Sequence, residues 1–164
     1  MKNKLATIFN FGNSYSNHYV YLASPFFSES QLNTVKLIEN SLDQAGINYF
    51  SPRSEGILID MEPKAREKAF TKIYESNIDH MNQASILIAN IDDRDLGTTF
   101  ELGYMYGLGK PIFSFSNNDY QINIMLRNSV LCHNTNIDNL ITNVNQYMNK
   151  EKLTIFDELT KDVT

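Results

Sequence analysis

The chain has 164 residues with a formal net charge of -5, 42% hydrophobic and 20% charged residues. That is one ordinary globular domain, and it excludes a disordered chain. An acidic chain without a Lys/Arg-rich run is a poor partner for nucleic acid, so none is expected. The single cysteine, Cys132, excludes an intrachain disulfide; in the apolar run Ser129 to Cys132 it reads as a small hydrophobe on a buried strand. No apolar stretch approaches the ~20 residues that span a bilayer, and Leu5 to Phe11 is too short and broken for a signal sequence. A soluble cytoplasmic protein with no membrane contact is the expectation.

Residues 1 to 17 show no clear period and are expected to be an extension, flexible or in part a short strand at Ala6 to Phe9. The domain itself is expected over residues 18 to 150, with a tail over 151 to 164. His18 to Ala23 is rich in β-formers and ends at Ser24-Pro25, a strand running into a loop. Ser28 or Ser30 can cap the next helix. Leu32, Val35, Ile38 and Leu42 follow at helical spacing, and Gly46 stops it. Ile47 to Phe50 is a short second strand, and Ser51 to Pro63 is a long loop of the kind that is usually functional or disordered.

Lys64 to Gln83 is helical by pattern, with Ala65, Ala69, Ile73 and Met81 on one side. Ser85 to Ile91 is a near-continuous apolar run, as in a central parallel strand buried on both faces. A polar turn, Asp92 to Thr98, leads into a helix over Thr98 to Gly109. Ile112 to Phe115 is a strand and Asn117 to Asn128 a loop or irregular short helix. Ser129 to Cys132 is the last strand and Ile137 to Asn149 the last helix. This alternation predicts an α/β fold: one doubly wound domain, a five-stranded mostly parallel sheet with helices on both faces, flavodoxin-like in its order 2-1-3-4-5. Ligands in such folds sit beyond the carboxyl ends of the strands, at the switch point. Four loops lie there: Ser24 to Ser28, Ser51 to Pro63, Asp92 to Thr98 and Ser116 to Asn128.

The turn Asp92-Asp93-Arg94-Asp95-Leu96-Gly97-Thr98-Thr99-Phe100-Glu101 follows the most buried strand. Gly97 permits a tight turn and Thr98 is a natural N-cap. Glu101 then falls in the first helical turn, where the helix dipole would hold its pKa down. An ionised, positioned carboxylate can attack an anomeric carbon, with a second carboxylic group, Asp95, serving the leaving group. Position alone favours an ordinary stabilising glutamate after a helix cap.

The segment Asp95 to Ile112 (DLGTTFELGYMYGLGKPI) resembles the signature of the nucleoside 2-deoxyribosyltransferase family, and Val20 to Phe27 (VYLASPFF) is similar to its opening motif. The general pattern covers residues 19 to 130. The resemblance implies an enzyme that exchanges the base of 2′-deoxyribonucleosides through a deoxyribosyl-glutamate ester, without a cofactor. Nucleosides and free nucleobases are its implied partners, and a homo-oligomer with shared sites its implied state. It implies Glu101 as nucleophile, Asp95 as the carboxylate at the base, and Tyr21 as the hydroxyl that orients the nucleophile. Phe26 and Phe27 match the wall beside the base, although two phenylalanines after a proline also suit a core. Asn123 and Met125 resemble a segment that reaches a neighbouring subunit's sugar site. Gly97 lies within the signature, and Ser24 stands in the opening motif as a candidate contact, or a turn residue.

Two positions depart from the family. Asn77 stands where the family often has a second aspartate; an amide can bond a base but cannot transfer a proton as a carboxylic acid does. The chain ends in Asp162-Val163-Thr164, where some members end in a tyrosine. The alternative reading is an N-glycosidase of nucleosides or nucleoside 5′-monophosphates, with water as acceptor. Against phosphate stands the lack of a basic cluster around Ser24, Ser28, Arg53 and Asn123. A non-catalytic nucleoside-binding module is the third reading. His18, His80 and His133 lack metal-ligand spacing, so no metal is expected.

Overall fold

Five short strands lie parallel in the order β2-β1-β3-β4-β5, as expected from the alternation of strands and helices. They are β1 (Val20–Ala23), β2 (Tyr49–Phe50), β3 (Ile86–Asn90), β4 (Ile112–Phe115) and β5 (Cys132–Asn134). The helices between and after them are α1 (Glu29–Gln44), α2 (Pro63–Gln83), α3 (Leu96–Gly107), α4 (Ile124–Ser129) and α5 (Ile137–Met148). The computed structural model describes residues 19–55, 62–118 and 122–153. The expected N-terminal extension, most of the tail and the middle of the loop after β2 lie outside the described residues.

Each strand alternates its side chains between two cores, as the pleat requires. Val20 and Leu22 of β1 join Ile86, Ile88, Phe113 and Phe115 beneath α1 and α5, through Val35, Ile38, Leu140 and Val144. Tyr21 and Ala23 turn the other way, with Leu87, Ala89 and Ile112, towards Met81 of α2 and Leu102 and Met105 of α3. All five residues of β3 are buried, as its near-continuous apolar run implied. Tyr21 is thus set on the α3 side of the sheet by strand parity.

The structure moves several boundaries. The last strand is Cys132–Asn134, not Ser129 to Cys132, because Ser129 closes α4 and its hydroxyl donates to the Met125 carbonyl. Cys132 itself is buried, as expected. The second strand shortens to Tyr49–Phe50, and the loop after it opens with a 3₁₀ turn over Pro52–Glu55. In α2 only Met81 is buried; Ala65 is exposed, and Ala69 and Ile73 are half-buried. The helix packs on the sheet by its C-terminal end alone, so its apolar spacing did not report burial.

Candidate functional site

The site is built where β1, β3 and α3 meet. The Tyr21 hydroxyl donates to Glu101 Oε1 at 2.6 Å. Tyr21 has no exposed surface, so its phenol has given up water for this partner. Burial first, then the Glu101 charge and the hydrogen bond to it, push the Tyr21 phenol far above its usual range; the charges of Glu55 and Tyr19 add to this. The phenol therefore stays a donor.

Glu101 departs from the expectation of a depressed pKa. Loss of water around it pushes its carboxyl from 4.5 up to about 7, the Tyr21 hydrogen bond opposes this, and the Asp95 charge adds to it. The reason is position. Asp95, not Thr98, is the N-cap of α3: its Oδ2 accepts the Thr98 amide at 2.7 Å. Leu96 is then the first helical residue and Glu101 lies in the second turn, beyond the strongest reach of the helix dipole. Burial wins. The Asp95 carboxylate is close enough that its charge opposes ionisation of Glu101.

Gly97 serves space rather than a tight turn, being an ordinary helical residue. A Cβ at position 97 would stand 3.0 Å from Asp95 Oδ2, so only glycine leaves that carboxylate undisturbed. The turn that delivers Asp95 carries the special backbone. Asp93 and Arg94 take φ of 61° and 52°, two successive left-handed residues that are not glycine. Such conformations cost of order 1–3 kcal/mol each and require surrounding structure to hold them. Asp92, buried just before them, supplies one anchor. Its Oδ1 accepts from Ser116 Oγ at 2.7 Å and Asn118 Nδ2 at 3.0 Å, and its Oδ2 from the Asn117 amide at 3.1 Å. Reading the sequence did not single out Asp92 as an anchor; the partners lie across the β4 loop, and only the fold brings them together.

The other expected residues distribute as follows. Ser24 is buried; its hydroxyl accepts from Asn90 Nδ2 at 3.0 Å and donates to the Pro25 carbonyl, which makes it a tie between the ends of β1 and β3. Phe26 and Phe27 stack with ring centroids 4.8 Å apart; Phe26 packs on the core, while Phe27 is 73% exposed. So one is core and the other a free wall. Asn77 Oδ1 is buried without a hydrogen-bond partner. The preceding Ser76 donates to Glu55 Oε1 at 2.5 Å. Glu55 is a further carboxylate whose charge reaches Tyr21, and nothing in the loop's composition had marked it. Arg53, the cation considered for phosphate, is paired with Glu39.

Asn123 caps α4, its side chain accepting the Met125 amide at 2.8 Å, and Met125 is 72% exposed. Both line a largely apolar cavity of about 310 Å³ together with Asp95, Thr98, Leu102 and Leu126. The structure thus brings this segment beside Asp95 of its own chain, a proximity that the motif alone did not imply. Among the described residues, no group of three or more His, Cys, Asp or Glu side chains could hold a metal ion, and no helix is long and apolar enough to cross a membrane.

A parallel 2-1-3-4-5 sheet with a paired carboxylate on the helix after its third strand defines a class of α/β domain with its ligand end above β1 and β3. The comparisons with known proteins narrow that class. Residues 20–150 match the model of the nucleoside 2-deoxyribosyltransferase family, and the chain belongs to that family. The solved structure of a 2-deoxyribosyltransferase from Bacillus psychrosaccharolyticus is 33% identical, with a TM-score of 0.66 over 75% of this chain and 90% of that one. An uncharacterised protein of Ureaplasma parvum is 31% identical over 78% of this chain and 85% of its own length. A protein of Thermofilum pendens named as a putative 2′-deoxynucleoside 5′-phosphate N-hydrolase is 26% identical over 59% of this chain and 66% of its own.

Proposed function

We propose that this protein exchanges the base of 2′-deoxyribonucleosides, with Glu101 as nucleophile and Asp95 as acid and base. The observation that carries the reading is the Tyr21–Glu101 hydrogen bond of 2.6 Å. It fixes one carboxylate oxygen and leaves Oε2 to attack C1′. As that bond forms, the N-glycosidic bond breaks, and the departing base takes a proton from Asp95. The product is a deoxyribosyl ester of Glu101. An incoming base then attacks C1′ through its ring nitrogen, loses its proton to Asp95, and expels Glu101. Two displacements give net retention.

The exposed ring of Phe27 supports a stacking face for the base, and family membership supports the substrate class. Met125 and Ile124, both exposed, support an oligomer in which this segment approaches a partner's sugar site. The hydrolytic alternative shares every step to the ester and differs only in water as acceptor. The Thermofilum pendens relative's name supports that alternative, whereas the Arg53–Glu39 pair removes the cation that a 5′-phosphate would use.

The test is to incubate the protein with deoxyadenosine, add cytosine, and assay adenine, free deoxyribose and deoxycytidine together. Deoxycytidine is the expected product. Free sugar in place of deoxycytidine would replace transfer by hydrolysis, and no release of base from any deoxynucleoside or its 5′-monophosphate would defeat both.

A further inference from the structure

The loop after β1 and the turn after β3 form two sides of the site, and one side chain joins them. Gln31 lies in the first turn of α1. Its Oε1 accepts the Phe27 amide at 2.9 Å and the Ser28 amide at 3.1 Å, while Ser28 Oγ accepts the Gln31 amide. That much is a capping box. The remaining end of the amide does something a cap does not need: Gln31 Nε2 donates to Asp93 Oδ2 at 2.9 Å, 62 residues along the chain. Asp93 is the first of the two left-handed residues that deliver Asp95.

We propose that Gln31 is a positioning residue, whose amide holds the Asp93–Asp95 turn against the loop that carries Phe27 and so sets the distance between base face and Asp95 carboxylate. This rests on the function proposed above for its catalytic consequence, not for the bridge itself. Asp92 anchors the turn from the β4 side and Gln31 from the α1 side. With both in place the strained segment has one position; with only Asp92, the end nearer Asp95 is released. An amide suits the task because it accepts on one side and donates on the other. A glutamate can cap equally well but cannot donate to Asp93 when ionised.

That difference separates cap from bridge. Gln31→Glu keeps both acceptor contacts to Phe27 and Ser28 but sets a carboxylate against Asp93. Asp93→Gly removes the acceptor from the other side, leaves α1 untouched and takes the positive φ freely. Adding Asp93→Asn to Gln31→Glu restores the bridge with its direction reversed, since the introduced side-chain amide can donate to the introduced carboxylate; asparagine also accepts the left-handed conformation.

Two readouts apply. Asp95 Oδ2 is the acceptor for the Thr98 amide at the helix start, so hydrogen exchange at Thr98 reports the seating of Asp95 without any turnover. Base release from a deoxynucleoside reports the catalytic effect. Gln31→Glu and Asp93→Gly are expected to speed Thr98 exchange about tenfold and to slow base release by roughly ten- to a hundredfold, while keeping the wild-type far-ultraviolet spectrum. The Gln31→Glu/Asp93→Asn protein is expected to recover most of both. Unchanged Thr98 exchange in the two single variants, or a double variant no better than Gln31→Glu, overturns the proposal. If the wild-type protein releases no base from any deoxynucleoside, the functional reading fails by itself, and Thr98 exchange still decides the role of Gln31.

Discussion

Tyr21 and Glu101 stand 80 residues apart in the chain and share a 2.6 Å hydrogen bond in which the phenol donates. The bond opposes the burial that raises the Glu101 pKa to about 7. Tyr21→Phe removes that opposition, so the Glu101 pKa moves higher still. The rate of base release is expected to fall roughly ten- to a hundredfold near neutral pH, the loss of a hydrogen bond to a charged group. The acidic limb of its pH profile should move to higher pH. A profile measured from about pH 5 to 9 checks both; an unmoved limb would detach Tyr21 from the ionisation of Glu101.

Glu101→Gln is expected to abolish turnover while making the protein more stable above neutrality. The folded-state pKa of about 7 lies above the ordinary 4.5, so the folded protein holds more protons between those values. Stability therefore falls as pH rises through that window and is constant above it. The glutamine does not titrate and still accepts from Tyr21. Melting curves at about pH 8 should show a gain of roughly 1–3 kcal/mol over wild type, against little difference at about pH 4. An equal gain at both values would mean that burial of charge is not the cause.

Gly97→Ala should separate activity from stability. Alanine raises helix propensity by about 1 kcal/mol, which offsets the crowding of its methyl group against Asp95. The melting temperature is expected to change little. The same methyl group, 3.0 Å from Asp95 Oδ2, displaces the carboxylate and should lower the rate of base release at least about tenfold. Thermal melts and rates on one preparation test this, and a fully active variant would show that the exact seat of Asp95 is unimportant.

Asp92→Ala removes an acceptor on which three donors converge, from Ser116, Asn117 and Asn118. Asp92 and Ser116 are buried, whereas Asn117 and Asn118 are exposed and find water in its place. Unfolding free energy should drop by about 1–2 kcal/mol, measurable by urea titration. Asp92→Asn, which keeps one acceptor oxygen, is expected to fall between the two.

The fold was open to reading because its signals are local. Period-two and helical spacings follow from the backbone geometry of single elements, and a fully apolar run such as Ile86 to Ala89 has few places other than a central strand. Alternation and handedness led to a parallel doubly wound sheet; the order 2-1-3-4-5 was a preference among such sheets, and the pairing of β1 with both β2 and β3 agrees with it. Misplaced elements were those where two short signals overlap. Ser129 to Leu131 is apolar enough for a strand, yet Ser129 is claimed by the end of α4 and the pairing with β4 begins at Cys132. The α2 spacing was real but mostly unburied, since spacing measures a face and says nothing of what covers it.

The chain by itself marked Glu101, Asp95 and Tyr21 as a group, through motifs short enough to be seen in one dimension. It could not give the chemical state of Glu101. Position suggested a first-turn carboxylate held acidic by the helix dipole; the tertiary structure gave a second-turn carboxylate pushed up to about 7 by loss of water. Ionisation is decided by what surrounds a group in three dimensions, and the Tyr21 phenol and the Asp95 charge arrive from different elements. The bridge from Gln31 to Asp93 and the fan of donors on Asp92 are of the same kind. Residue types and spacing set which side chains are available; only folding sets which of them lie within about 3 Å of one another, and that distance governs both hydrogen bonding and charge.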